Sequence, residues 1–412
     1  MKKRVVVTGL GAVTPVGHSA SESWQAVKEG KSGVGRITLF DCGEFTTQIA
    51  AEVKNFDAKN FMDGKESRKM DRFSQFAVAA AIEAMADAGL GAGSFDAERG
   101  GCALGVGIGG FQTIEESLRV LVAKGPQRIP PMTIPKLIAN IGPGNVSIHF
   151  DLRGPCYTVT TACSSGADAI GSAVRWIESG AMDFMVSGGV EAAITSFGIG
   201  SFNAIQALST RNDEPQRASR PFDRDRDGFV MGEGAGVVVL ESLEHAVGRG
   251  ARIYAEFAGY GMSCDANHLT APHPEGRGAV SAMRMALAEA GMRPEDIDYV
   301  NAHGTSTPIN DPTETKAIKE VFGQRAQGIR VSSTKSMTGH MLGAAGGIEA
   351  LFSVLAVHEG FFPPTANLDN PDPLCDLDYV PNKGAAGNIR AAMSNTFGFG
   401  GQNGILIFKK HA

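Results

Sequence analysis

Cys163 stands in the run Val-Thr-Thr-Ala-Cys-Ser-Ser-Gly, where an apolar segment that reads as a strand from Cys156 gives way to small residues and a helical pattern begins. A thiol there is a candidate nucleophile. The thiolate is the reactive form, a free thiol has a pKa of about 8.5, and the partial positive charge of a helix start lowers it. Two later segments each set an imidazole at a tight turn beside glycine: Asn-Ala-His-Gly-Thr-Ser-Thr carries His303, and Lys-Ser-Met-Thr-Gly-His carries Lys335 and His340. One thiol and two imidazoles in such settings suit acyl chemistry, in which a covalent intermediate splits one difficult step into two. The same residue types also ligate zinc, but no C-x-x-C or similar local pair supports a metal site.

The elements that must hold these residues repeat along the chain. Residues 77–90 laid without gaps over residues 279–292 bring alanines and a terminal glycine into coincidence, and each segment reads as a helix closed by glycine at its C-cap. Each should lead into a short strand, over residues 102–108 in one half and 297–302 in the other. Residues 232–240 parallel 400–408, a glycine turn feeding a buried strand in both. A helix after Cys163 would align Ala167, Ile170, Val174 and Ile177 on one face, and a helix after His340 would align Ala345, Ile348, Leu351 and Leu355. A nucleophile and a histidine thus begin corresponding helices of two α/β halves, residues 1–250 and 251–412, with the boundary expected near Arg249 to Arg252.

Composition narrows the class. The 412 residues are 43% hydrophobic, enough to bury a large core, and a net charge of −6 with dispersed basic residues argues against nucleic-acid binding. The six cysteines show no disulfide or zinc-knuckle spacing, which fits a reducing cytoplasm. Met-Lys-Lys-Arg before Val-Val-Val mimics a leader, but Thr8, Gly9, Gly11 and Pro15 cut the apolar run short, so a buried first strand is expected. No segment is expected to reach the roughly 18 apolar residues of a membrane span. Gly105–Gly110 satisfies G-x-G-x-x-G without the acidic residue about twenty positions on that a dinucleotide site needs.

The segments around Cys163, His303 and His340, together with Ser-Asn-Thr-Phe-Gly-Phe-Gly-Gly at residues 394–401, resemble the β-ketoacyl-acyl-carrier-protein synthases, those of type II most closely. The resemblance runs over nearly the whole chain. It implies an α/β thiolase-like fold, duplicated halves stacked in five layers (α-β-α-β-α), with the active site between them. It also implies a decarboxylating condensation in fatty acid elongation: Cys163 takes an acyl group from a carrier protein, and malonyl-carrier protein loses CO2 to give the attacking carbanion. His303 and His340 would donate hydrogen bonds to the malonyl thioester carbonyl, which neutral imidazole suffices for. Lys335 would support them, with Glu349 as its charge partner. Phe399 would gate the acyl pocket, and its N–H with that of Cys163 would form an oxyanion hole.

By the same resemblance, Ile108, Phe202 and Phe397 face the acyl group, while Thr270, Thr305 and Thr307 contact the pantetheine arm. Lys65, Arg68 and Lys69 form a basic cluster for the acyl carrier protein, though a solvated helix face fits them equally. Three positions depart from the pattern: Ala271 for a serine, Gln206 for a carrier-binding arginine, and Thr133 for a tunnel-closing aromatic. Neither metal nor organic cofactor is implied, since the carrier supplies the phosphopantetheine, and a homodimer is expected through the strand before Cys163. Asp311, Pro312 and Glu314 read as a capping-box-like helix start. A polyketide ketosynthase shares the Ala-Cys-Ser-Ser motif. A non-catalytic chain-length partner of the same fold would lack the cysteine, and a degradative thiolase would need a second one in the C-terminal glycine-rich segment.

Overall fold

A computed structural model describes residues 2–91 and 93–411. Its frame is a ten-stranded sheet that divides into two matching sets of five. The first set runs, from the outer edge inward, Cys156–Val159, Gly100–Val106, Phe184–Glu191, Gly234–Ser242, Val5–Val13; the second runs Arg330–Ser332, Tyr299–Asn301, Ala391–Phe397, Gln402–Lys409, Ala255–Cys264. In each set the two outer pairings are parallel and the two inner ones antiparallel. The sets are joined only where Val5–Val7 pair antiparallel with Ala255–Phe257. Identical order and sense in both sets is the duplication anticipated from the alanine-rich segments.

Those segments form helices Arg72–Asp87 and Arg277–Ala290, which stop near Gly89 (φ 70°) and Gly291 (φ 62°), left-handed positions that glycine adopts without strain. Each helix presses on its sheet at a pair of glycines. A Cβ at Gly9 or Gly11 would overlap the carbonyls of Ala84 and Ala80, and one at Gly259 or Gly261 those of Ala286 and Ala282. The strands Phe184–Glu191 and Gly234–Ser242 are buried along their whole length, as strands covered on both faces must be.

Helices Ser165–Glu178 and Ala345–Glu359 lie between the two sets, packed on each other and on strands of both, and the alanine-rich helices cover the outer faces. This is the five-layer thiolase-like arrangement. The apolar residues aligned after Cys163 and after His340 meet in one central cluster, Ile170, Val174 and Ile177 with Ile348, Leu351 and Leu355. The segment Leu342–Glu359 is, contrary to expectation, long and apolar enough by length and composition to cross a membrane; it is the core helix, almost wholly inside the protein.

Candidate active site

The chain reaches Cys163 through a sharp turn. After the edge strand Cys156–Val159, Ala162 takes a left-handed φ of 51°, residues Ala162–Ser164 form one 3-10 turn, and the helix Ser165–Glu178 follows. Ser165 Oγ accepts from Thr161 N–H at 2.9 Å and donates to Ala162 O at 2.6 Å, which holds the turn. Ser164 Oγ reaches the carbonyls of Thr396 and Gln402, both at 3.1 Å, and so fastens the turn to strands of the other half. Asp168 accepts from Thr161 Oγ1 at 2.6 Å and from Tyr260 O–H at 2.8 Å, again bridging the halves.

The second half builds the same turn. Leu342 has φ 48°, Leu342–Ala344 is the 3-10 turn, and Ala345–Glu359 is the helix. The residue corresponding to Cys163 is therefore Gly343. His340 lies three residues before that position, behind a short helix Lys335–Thr338, so it does not itself begin the helix that corresponds to the one after Cys163. Lys335 begins that short helix, and the strand before it covers Arg330–Ser332.

His340 Nε2 lies 3.1 Å from Cys163 Sγ, and the rings of His303 and His340 stand edge to face with centroids 5.3 Å apart. Both imidazoles are 3% exposed, and their Nδ1 atoms have no partner among the described residues. Burial, reinforced by the nearby Lys335 charge, holds both well below the ordinary value of 6.5, so they are neutral. Lys335 and Glu349, each 1% exposed, form an ion pair behind them.

Burial also pushes the Cys163 thiol up to about 12, against the downward pull of Lys335 and of a hydrogen bond from the Phe399 N–H. The expected lowering by the helix start is thus overturned for the resting enzyme. The thiol is only 8% exposed, and loss of hydration outweighs the partial charge of one helix end.

His303 is set by a carboxylate that reads in the sequence as a helix cap. Glu314 accepts from the N–H groups of His303 and Gly304, both at 2.8 Å, and from Asn395 Nδ2 at 3.1 Å. Asp311 accepts from Phe222 N–H at 2.8 Å. Helix Asn310–Phe322 has no side-chain cap, so the capping-box reading is replaced by a bracing one.

One cavity of about 530 Å³ collects Cys163, His303, His340, Ile108, Phe202, Thr270, Thr305, Thr307, Phe397 and Phe399, with Gln206 and Ala271 also on its wall. Phe399 and Phe202 ring centroids are 6.4 Å apart, Phe397 packs against His303, and Thr305 and Thr307 hydroxyls are 3.0 Å apart. Gly398 passes so close to the nucleophile turn that a Cβ there would stand 2.6 Å from Thr161 O. Lys65, Arg68 and Lys69 lie on the surface beside the short helix Gly64–Ser67, outside the cavity, with Lys69 paired to Glu66 at 2.8 Å. Thr133 is outside it too, bonded to Ser117 at 2.9 Å and Pro130 O at 2.8 Å.

Among the described residues no group of three or more His, Cys, Asp or Glu side chains is disposed to hold a metal. Asn301 Oδ1, Ser394 Oγ, Asn395 Oδ1 and Glu349 Oε2 are buried with no hydrogen-bond partner among the described residues. Sequence reasoning gave Glu314 a capping role and missed Glu191, a lone carboxylate ending the apolar run Phe-Met-Val-Ser-Gly-Gly-Val-Glu. An acid at that point in a buried strand was the available signal.

The comparisons with known proteins agree with this geometry. Residues 2–246 match the family described as Beta-ketoacyl synthase, N-terminal domain, and residues 254–369 match Beta-ketoacyl synthase, C-terminal domain. The chain belongs to the β-ketoacyl synthase family. Relatives named 3-oxoacyl-[acyl-carrier-protein] synthase 2 are 52% identical in Synechocystis sp., covering 100% of this chain and 99% of that one, and 53% identical in Coxiella burnetii, covering 99% of each. Among solved β-ketoacyl synthase structures, one from Burkholderia phymatum superposes with a TM-score of 0.92 at 38% identity over the whole of both chains. The ishigamide ketosynthase/chain length factor gives a TM-score of 0.93 at 36% identity, also over both whole chains.

Proposed function

We propose that this protein is a type II β-ketoacyl-acyl-carrier-protein synthase, which condenses an acyl group held on Cys163 with malonyl-acyl-carrier protein and releases CO2 in fatty acid elongation. The observation that carries the reading is the thiol of Cys163 in contact with a neutral imidazole, beside a second one, at the base of a mostly apolar cavity. The full-length likeness to synthase 2 relatives supports fatty acid over polyketide synthesis. A cysteine at the nucleophile turn argues against a non-catalytic partner.

The chemistry follows from charge. Cys163 is neutral at rest; as its sulphur bonds to the acyl carbon the oxyanion forms near the N–H groups of Cys163 and Phe399, the suited donors, and the carrier's C–S bond then breaks, its phosphopantetheine sulphur leaving as a thiol with the proton that Cys163 gives up. Once Cys163 is acylated, His340 Nε2 is free of the thiol and can face the malonyl thioester beside His303. Loss of CO2 then puts negative charge on that carbonyl, where buried neutral N–H donors are strongest. The carbanion attacks the acyl-enzyme, the C–S bond breaks, and Cys163 leaves as a thiolate near the Lys335 charge; the thiolate takes up one proton from solvent to restore the neutral resting thiol. No resident cofactor is needed for these steps.

Thr270, Thr305 and Thr307 would hold the pantetheine arm, and Ile108, Phe202, Phe397 and Phe399 the acyl chain. Lys65, Arg68 and Lys69 would take the acidic carrier. The edge strand Cys156–Val159 would pair with its copy in a homodimer, and a cytoplasmic setting suits a free catalytic thiol. The test offers purified protein malonyl-carrier protein and acyl-carrier proteins of graded length and identifies products by mass. Extension by two carbons is expected; no extension of any acyl group would overturn the reading.

A further inference from the structure

Glu191 takes no part in the steps above, yet it borders the same cavity with no solvent exposure. Among the described residues its hydrogen-bond partners are all backbone N–H groups. Oε2 accepts from Gly107 at 2.9 Å and Gly343 at 3.2 Å; Oε1 accepts from Ile108 at 3.2 Å and Gly109 at 3.3 Å. Three donors belong to the loop after strand Gly100–Val106 and the fourth to the turn Leu342–Ala344 in the other half. The two segments touch: a Cβ at Gly343 would overlap Gly107 N, and one at Gly107 would overlap the carboxylate itself.

Ile108 and Leu342, carried by these two segments, share one apolar cluster with Cys163 and Phe202. The three successive N–H groups of Gly107, Ile108 and Gly109 all go to this carboxylate, and the next, that of Gly110, donates to Leu137 O at 2.9 Å. A buried carboxylate without a cation is a costly device for fixing a loop, and burial raises Glu191 to about 7 even with four donors. An isosteric amide would set its own N–H₂ against one pair of backbone donors.

We infer that Glu191 is a positioning residue for chain-length selection: its carboxylate clamps the Gly107–Gly109 loop onto the Leu342–Ala344 turn and thereby fixes the wall that Ile108 presents to the acyl group on Cys163. The inference rests on the condensing reading given above. Loosening the clamp lets Ile108 recede, so longer chains gain relative to shorter ones.

The experiment compares kcat/KM for acyl-carrier proteins of graded length in the unmodified protein, Glu191→Gln, Glu191→Asp, Ile108→Ala and Glu191→Gln combined with Ile108→Ala. In Glu191→Gln the long-to-short ratio should rise by about tenfold, and in Glu191→Asp, which keeps the charge, by less. With Ile108 already truncated, adding Glu191→Gln should move the ratio by less than about twofold. An equal loss at every length, or the same tenfold shift in the truncated background, would overturn the clamp. Should the amide variant not fold, hydrogen exchange in the unmodified protein decides: the amides of residues 107–109 and 343 should be protected together, and free exchange of the loop would overturn the proposal. An unmodified protein inert toward every acyl group would instead refute the condensing reading.

Discussion

Replacing His340 with alanine separates the two half-reactions by amounts that the geometry sets. In the resting enzyme His340 Nε2 meets Cys163 Sγ at 3.1 Å, and both groups are neutral, the thiol pushed up to about 12 and the imidazole held well below 6.5. A neutral hydrogen bond of this type contributes about 1 kcal/mol, so its loss changes acylation of Cys163 by about fivefold. In decarboxylation the same imidazole would face a full oxyanion in a site from which water is excluded. Losing one of two donors there costs about 2.7–4 kcal/mol, or about 10²–10³ in rate. Single-turnover labelling followed by intact mass should therefore slow no more than about tenfold in His340→Ala, while CO2 release from malonyl-carrier protein falls at least about a hundredfold. If labelling instead fell by the 10²–10⁴ typical of a lost general base, His340 would be deprotonating the thiol and its assignment as a pure donor would be wrong. Labelling lost with decarboxylation intact would reverse the roles of thiol and imidazole.

Cys163→Ala should form no acyl-enzyme at all, and a stoichiometric adduct by intact mass would show that another thiol is the nucleophile. In the proposed reaction His303 and His340 are neutral donors whose values lie below 6.5, so activity should be lost only as pH falls through those lowered values; a decarboxylation profile with its acid limb at 6.5 or above would contradict this. Lys335→Met leaves the Glu349 carboxyl buried without its partner, which should cost about 3–5 kcal/mol in urea unfolding. It should also move the acid limb upward, because the Lys335 charge helps depress both imidazoles; an unshifted limb would sever that link. Sedimentation should give a dimer, and a fully active monomer at assay concentration would remove the role given to the strand Cys156–Val159.

The duplication was legible because glycine and alanine do the packing at both helix–strand contacts, and nothing larger fits between Gly9 and Ala84 or between Gly259 and Ala286. Cys163, His303 and His340 were legible because each sits at a turn flanked by small residues. The state of the thiol was not: a helix start is visible in the sequence, but the burial that overrides it comes from Phe399, Phe202 and Leu342, which arrive from three distant segments. Glu314 misled for a related reason. Its spacing from Asp311 fits a cap, while its partners at His303 and Gly304 lie ten or more residues back and meet it only in the folded chain. The register of His340 against the repeated turn was also hidden, since the left-handed positions at Ala162 and Leu342 are occupied by residues that give no hint of them.

The turn at Gly343 has a consequence for how labour is divided within the chain. A half-length ancestor acting as a symmetric pair would carry the same residue at both turns, so a thiol at one would mean a thiol at the other. Here that is sterically closed, because any side chain at Gly343 collides with the backbone of Gly107. Joining both copies in one polypeptide lets one turn keep the sulphur while the other yields its space and contributes an imidazole from three residues upstream. Each molecule therefore holds one reactive sulphur in a fixed one-to-one ratio with its pair of histidines, and neither copy could run the reaction by associating with its own duplicate.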